Sequence, residues 1–225
     1  MTTVVVVCEG RTEQTFVRDV LAPALAPGGI LLETQLINTS RTGRGGALSW
    51  ERVLRHLRNL LLQRRNAYVT TFFDLYQLDN DFPHYHEAAR IADPIVRAQE
   101  IEGAFAHAVV TEAGCLPQRF VPHIQPYEYE ALLFSEVGCF GEEMPEWQPF
   151  IAQLQAVRDN APTPEHINDG PATHPSARLV NLLTPGYRKV LHGSAIAARI
   201  GLDCIRERCV HFADWLRRIE ALQPL

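Results

Sequence analysis

Five carboxylates stand where a folded chain could use them together. Glu9 follows directly on the β-branched run from Val4 to Cys8, and Glu13 comes four residues later. Asp74 ends the aromatic and β-branched run from Tyr68 to Phe73, and Glu128 and Glu130 alternate with tyrosines in Tyr127-Glu128-Tyr129-Glu130. Carboxylates brought into one place repel one another unless a cation lies among them. Hard oxygen ligands with few His or Cys suit Mg²⁺ or Mn²⁺, and such an ion can polarise a phosphodiester and activate water. The plainer alternative is that each is an ordinary loop acid, with Glu13 serving the dipole of the helix it opens. Glu9 and Asp74 argue against that alternative, because each directly follows a hydrophobic strand.

The elements that must position these groups alternate. Val4 to Cys8 has the continuous β-branched character of a strand buried on both faces. Thr12 can cap a helix over 13–25, in which Phe16, Val17, Val20, Leu21 and Leu25 recur at helical spacing. A second strand is expected over 30–37, a helix after Ser49, a third strand over 68–73, a helix over 95–112, a fourth strand over 120–124, and a helix opening at Glu128. This order predicts an α/β fold with a parallel sheet flanked by helices and right-handed crossovers. If strands one and three are neighbours, Glu9 and Asp74 end roughly 5 Å apart in backbone terms, at the sheet edge where open α/β folds place their sites. The expected division is a core over 1–135 and a helical insertion with C-terminal helices over 136–225. A long helix from Gly201 to Leu222 carries the stripe Leu202, Ile205, Cys209, Phe212, Leu216 and Ile219. That stripe packs on the domain or, as a lesser alternative, forms a homo-oligomer seam.

Composition bounds the function. The 225 residues carry 26 acids and 21 basic residues, a net charge of −5, so no global basic surface advertises nucleic-acid binding. Lys189 is the only lysine and is a candidate phosphate contact. The loop 39–46 offers Arg41 and Arg44 to a nucleic-acid backbone or is a plain connector. Glu165, Asn168, Asp169, Ser176 and Arg178 form a second polar concentration that returns to the acidic site or serves turns and a helix cap. Tyr76, Tyr127 and Tyr129 either stack on bases or pack the top of the sheet. His84 and His86 are weak candidates for a metal. The five cysteines are dispersed without a CxxC pair, which suits reduced thiols. No long apolar run and no basic leader are evident, so a cytoplasmic protein off the membrane is expected.

The stretch from Val4 to Glu13 resembles the first motif of TOPRIM domains, the acidic module of topoisomerases, primases and OLD-family nucleases. More closely, the chain is similar to the bacterial DUF4276 family. The similarity is carried by Glu9-Gly10-x-Thr12-Glu13, Phe73-Asp74-Leu75-Tyr76, Asp81-Phe82-Pro83, the segment Pro126 to Phe134, and Pro164 to Pro171 followed by Pro175-Ser176-x-Arg178. The TOPRIM resemblance implies metal-binding Glu9 and Asp74 and Mg²⁺-dependent (or Mn²⁺-dependent) phosphodiester chemistry. TOPRIM domains carry Asp-x-Asp after the third strand, whereas the second position here is Tyr76, and Asp79 and Asp81 are wrongly spaced. A missing ligand would then come from Glu128 or Glu130. The family context implies a bacterial anti-phage setting beside an ABC-type or AAA ATPase.

The expectation is therefore a TOPRIM-like nuclease or nuclease subunit. Glu9, Glu13, Asp74, Glu128 and Glu130 are its catalytic set, with Glu9, Asp74 and Glu128 on the metal. Arg41, Arg44, Arg178 and Lys189 would lie on the phosphate of a DNA or RNA substrate. The competing expectation is a non-catalytic TOPRIM-like scaffold that docks on the ATPase.

Overall fold

The structure is a computed structural model that describes residues 1–37, 47–168, 170 and 173–225. The chain runs β1 (Thr2–Cys8), α1 (Arg11–Phe16), a π-helical turn (Val17–Leu21), α2 (Ala22–Leu25), β2 (Ile30–Leu36), α3 (Trp50–Gln63), β3 (Tyr68–Asp74), α4 (Tyr85–Ala88), α5 (Pro94–Ala113), β4 (Phe120–Val121) and β5 (Ile124–Gln125). A 3₁₀ segment (Tyr129–Ser135) follows, then α6 (Gly138–Glu143), α7 (Ile151–Asp159), α8 (Pro175–Leu182), α9 (Lys189–Ile200), α10 (Leu202–Arg208) and α11 (Val210–Glu220). The sheet is parallel in the order β2-β1-β3-β4, with β5 also on β3. This is a Rossmann-like α/β architecture.

The valine run explains the two-sided core. Successive side chains of a strand point to opposite faces, so Val4, Val6 and Cys8 enter one hydrophobic cluster while Val5 and Val7 enter the other. In β3, Tyr68 and Phe72 join the first cluster and Val69 and Phe73 the second. The first cluster is closed by α1 and the C-terminal helices, the second by α3 and α5. Reversal of strand order between β1 and β3 puts the carboxyl ends of these two strands at the crevice where such sheets bind ligands. Glu9 and Asp74 sit at those ends.

Three elements depart from the expected course. The helix over 13–25 is interrupted by a π turn, in which Ala22 N–H bonds back to the Val17 carbonyl, just before Pro23, which has no N–H to give. The fourth strand is split into β4 and β5 around Pro122, which cannot donate to the ladder. Thr71 compensates from β3, donating its hydroxyl to the His123 carbonyl and accepting the His123 N–H, each at 3.0 Å.

The third departure is the long C-terminal helix, which is two helices that break at Cys209 (φ −118°, ψ 89°). The cause is Glu165, a fully buried carboxylate whose two oxygens accept the N–H groups of His211 and Phe212, each at 3.0 Å. It caps α11 from 46 residues upstream, although burial holds its carboxyl above the ordinary range. The stripe itself goes inward, with Ile205, Cys209, Phe212, Leu216 and Ile219 all in the first cluster. Glu165→Ala leaves two buried N–H groups unpaired and is expected to cost about 3 kcal/mol, a fall in melting temperature of roughly 6–12 °C at this chain length. A thermal melt that matches wild type would remove the capping role. No helix among the described residues is long and apolar enough to cross a membrane.

Candidate functional site

Glu9, Glu13, Asp74, Glu128 and Glu130 are brought to one place, and the backbone holds most of them there. The Gly10 N–H donates to Glu13 Oε2 at 2.9 Å, folding the first turn of α1 back on the end of β1. The Asp74 N–H points at Glu9 Oε2, 3.4 Å away, so the two strand ends touch. Asp74 Oδ1 accepts the Tyr129 N–H at 2.8 Å, which draws the loop after β5 over the end of β3. That loop turns at Tyr127, a non-glycine residue at φ 60°, a conformation that bulky side chains adopt at a cost and that recurs at functional sites. The turn presents Glu128 and Glu130, and oxygens of Asp74, Glu128 and Glu130 lie within 4.8 Å of one another, all three residues buried.

Glu128 is held differently from its neighbours. Its Oε2 accepts from the Ser176 N–H and contacts His174 Nδ1, each at 2.9 Å. Its Oε1 accepts the Ser176 hydroxyl at 2.9 Å and lies 3.4 Å from Lys189 Nζ. Lys189 also reaches Glu130 Oε2 at 3.4 Å, whereas Glu130 Oε1 is buried with no partner. One ammonium thus bridges two carboxylates.

The electrostatics follow from this crowding. Burial, then the charge of Glu13, pushes the Glu9 carboxyl up to about 8. Burial pushes Glu130 up to about 7 against the pull of Lys189. Asp74 is raised well above its usual range by burial and by Glu13, Glu9, Glu130 and Glu128, and Glu13 is raised chiefly by burial. Glu128 goes the other way. Burial opposes its ionisation, yet Lys189, the Ser176 N–H and His174 together hold it below the usual carboxylate range. Lys189 is raised because Glu130, Glu128 and Asp74 outweigh its partial burial. A cation fits this donor set: the described carboxylates outnumber the lysine, and the orphaned Glu130 Oε1 is an acceptor without a donor.

The remaining candidates separate. Arg178 donates to the Thr173 carbonyl and lines a cleft of about 180 Å³ with Asn160, His166 and Asn168, apart from the carboxylates. Asn168 bonds the Tyr76 hydroxyl, and Ser176 holds Glu128 as described. Arg41, Arg44 and Asp169 lie outside the described residues. Tyr129 is buried against Phe16 and Phe72 and packs rather than stacks on a base, while Tyr76 remains 42 % exposed beside Tyr127. His84 and His86 belong to neither group of potential metal ligands among the described residues.

His174 went unforeseen, because only the placement of α8 brings it to Glu128. Glu102, His123 and His211 also form a second buried group. There Glu102 accepts the Ile124 N–H at 2.7 Å and faces His211 Nε2 at 3.0 Å, fastening α5 and α11 to β5.

A family model described as "Domain of unknown function (DUF4276)" matches residues 8–220. The chain belongs to this family. No curated protein and no solved structure matches it. The match spans every carboxylate above, so the acidic cluster lies within the DUF4276 domain. Behind the cluster, α9 approaches closely at Gly193, where a Cβ would fall 3.1 Å from the Tyr129 ring and 3.2 Å from the Tyr187 hydroxyl. Gly193→Ala is therefore expected to overpack the DUF4276 core and destabilise it by about 1–3 kcal/mol. Urea denaturation measures this, and an unchanged midpoint would show that α9 can retreat freely.

Proposed function

We propose that this chain is a Mg²⁺- or Mn²⁺-dependent nuclease, or nuclease subunit, with a TOPRIM-like site. The observation that carries the reading is the convergence of the buried carboxylates of Asp74, at the end of β3, and of Glu128 and Glu130, after the Tyr127 turn, with Glu130 Oε1 left unpartnered and the half-buried Glu9 reaching the Asp74 N–H beside them. Glu9, Asp74 and Glu130 are the best ligands. Glu128, whose oxygens already meet Ser176, His174 and Lys189, would need to release Lys189 to join them. A bound ion supplies an acidified water and polarises the phosphoryl oxygen. The chain's own part is to orient: Glu13 is fixed by Gly10, Asp74 by Tyr129, and Lys189 offers positive charge to a phosphate at the rim. An ATPase partner and an anti-phage setting are proposed with this reading on the strength of the family resemblance.

A second reading is favoured by Lys189 itself. An ammonium between Glu128 and Glu130 neutralises part of the cluster without a metal, as a scaffold would require. Calorimetric titration with Mg²⁺ and Mn²⁺, followed by cleavage assays on single-stranded DNA, duplex DNA and RNA, decides between them. Saturable binding with ion-dependent cleavage supports the nuclease. No binding and no cleavage leaves the scaffold.

A further inference from the structure

Beside the acidic site, α1, the π turn, the end of β2 and the first turn of α9 line a cleft of about 770 Å³. Arg11, Arg18, Arg188 and Lys189 line it, and none of its described lining residues is acidic. Such a concentration of cations is unexpected in a chain of net charge −5. Arg18 is engaged by Asp19 at 2.6 Å. Arg11 and Arg188 are exposed and pair with no carboxylate among the described residues. Between the cations lie Val190 and Leu191, apolar yet 46 % and 52 % exposed. Lys189 belongs to both places, lining the cleft while its Nζ stands 3.4 Å from Glu128 and Glu130.

A groove of cations suits the backbone of a polyanion, and Val190 and Leu191, although no aromatic ring stands among the described lining residues, offer its bases apolar contact. The carboxylates beyond it are buried, Asp74 and Glu130 at 6 % and 1 % exposure, which favours a flexible strand over a stiff duplex. We propose that this cleft is the channel for single-stranded nucleic acid. Its phosphates pair with Arg11 and Arg188 and pass over Lys189 toward the carboxylates, while bases rest on Val190 and Leu191. What the channel feeds rests on the phosphodiester reading above.

The test is fluorescence anisotropy of a labelled oligothymidylate of about a dozen nucleotides, a length suited to such grooves, in EDTA over a series of NaCl concentrations. Arg11→Ala with Arg188→Ala is expected to weaken binding at least tenfold. It should also shallow the slope of log K against log salt by about 1.4, the loss of two phosphate contacts on a single strand. Arg90→Ala, exposed on the opposite side of the sheet, should bind as wild type does. Equal binding by the double variant, no binding by wild type at low salt, or tighter binding of the corresponding duplex would each overturn the proposal. Because the assay contains no metal and no cleavage, it separates the two ideas. A protein that binds the strand but no ion keeps the channel and loses the nuclease, and one that binds the ion but no strand does the reverse.

Discussion

Replacing Glu9 by Gln together with Asp74 by Asn is expected to abolish Mn²⁺ binding and to lower nucleic-acid cleavage roughly 1,000-fold, the scale of losing a preorganised electrostatic element. Both changes are nearly isosteric, and Asn retains the oxygen that accepts the Tyr129 N–H. The fold should therefore survive. At alkaline pH it should in fact gain, because the carboxyls of Glu9 and Asp74, raised by burial and by the acids around them, are replaced by groups that cannot ionise. The expected signature is thus paired: calorimetry shows no ion uptake, while the metal-free melting temperature rises above that of wild type at about pH 8.5, where Glu9 ionises in the wild type. A merely structural role for these residues gives the opposite, a lower melting temperature with lost activity. Retention of ion binding and cleavage by the double variant would remove Glu9 and Asp74 from the site.

The same residues show what sequence pattern can and cannot convey. The runs ending at Cys8 and Asp74 were legible because a doubly buried central strand demands uninterrupted apolar residues, and each charge directly after such a run marks the sheet's edge. Their adjacency was expected only if strands one and three were neighbours, which the α/β alternation leaves open and the order β2-β1-β3-β4 supplies. The partners were less legible. Glu128 is held by Ser176 and His174, 48 and 46 residues away, and no local propensity encodes that distance. Lys189 was visible as the only lysine, but the helix it opens was not expected, so its reach to Glu128 and Glu130 was not either. The break at Cys209 has the same origin, since the heptad-like stripe runs through it unchanged. Tertiary capping by Glu165 overrides the local periodicity. In this chain the alternation of strands and helices was local information, while the strand order and the completed site depend on long-range pairs.

The acidity of the cluster leads to the second large effect, a coupling of pH, stability and metal. Glu9 near 8 and Glu130 near 7 lie well above the unfolded glutamate value, so from about pH 4.5 upward the folded state binds more protons than the unfolded state. Their contribution is fully present below that unfolded value and is lost as pH rises through 7 and 8. Each proton held in excess by the folded state lowers stability by about 1.4 kcal/mol per pH unit over that window. Glu128 has the reverse sign: its contribution exists above the unfolded value and is lost only as pH falls below about 4.5, outside the window. The metal-free melting temperature should therefore fall between about pH 6.5 and 8.5, above the range in which His56, His123 and His192, held by burial below their ordinary value, add stability as pH rises. Mn²⁺ should restore it, and more strongly at the alkaline end, because ligation requires the ionised carboxylates. The same linkage requires proton release on binding near pH 7, of the order of one per ion, measurable by calorimetry in PIPES and Tris, whose ionisation enthalpies differ. A melting temperature flat from about pH 6.5 to 8.5 would mean that the carboxylates are already neutralised by Lys189 and neighbouring donors. In that event the scaffold reading would account for the cluster better than the nuclease does.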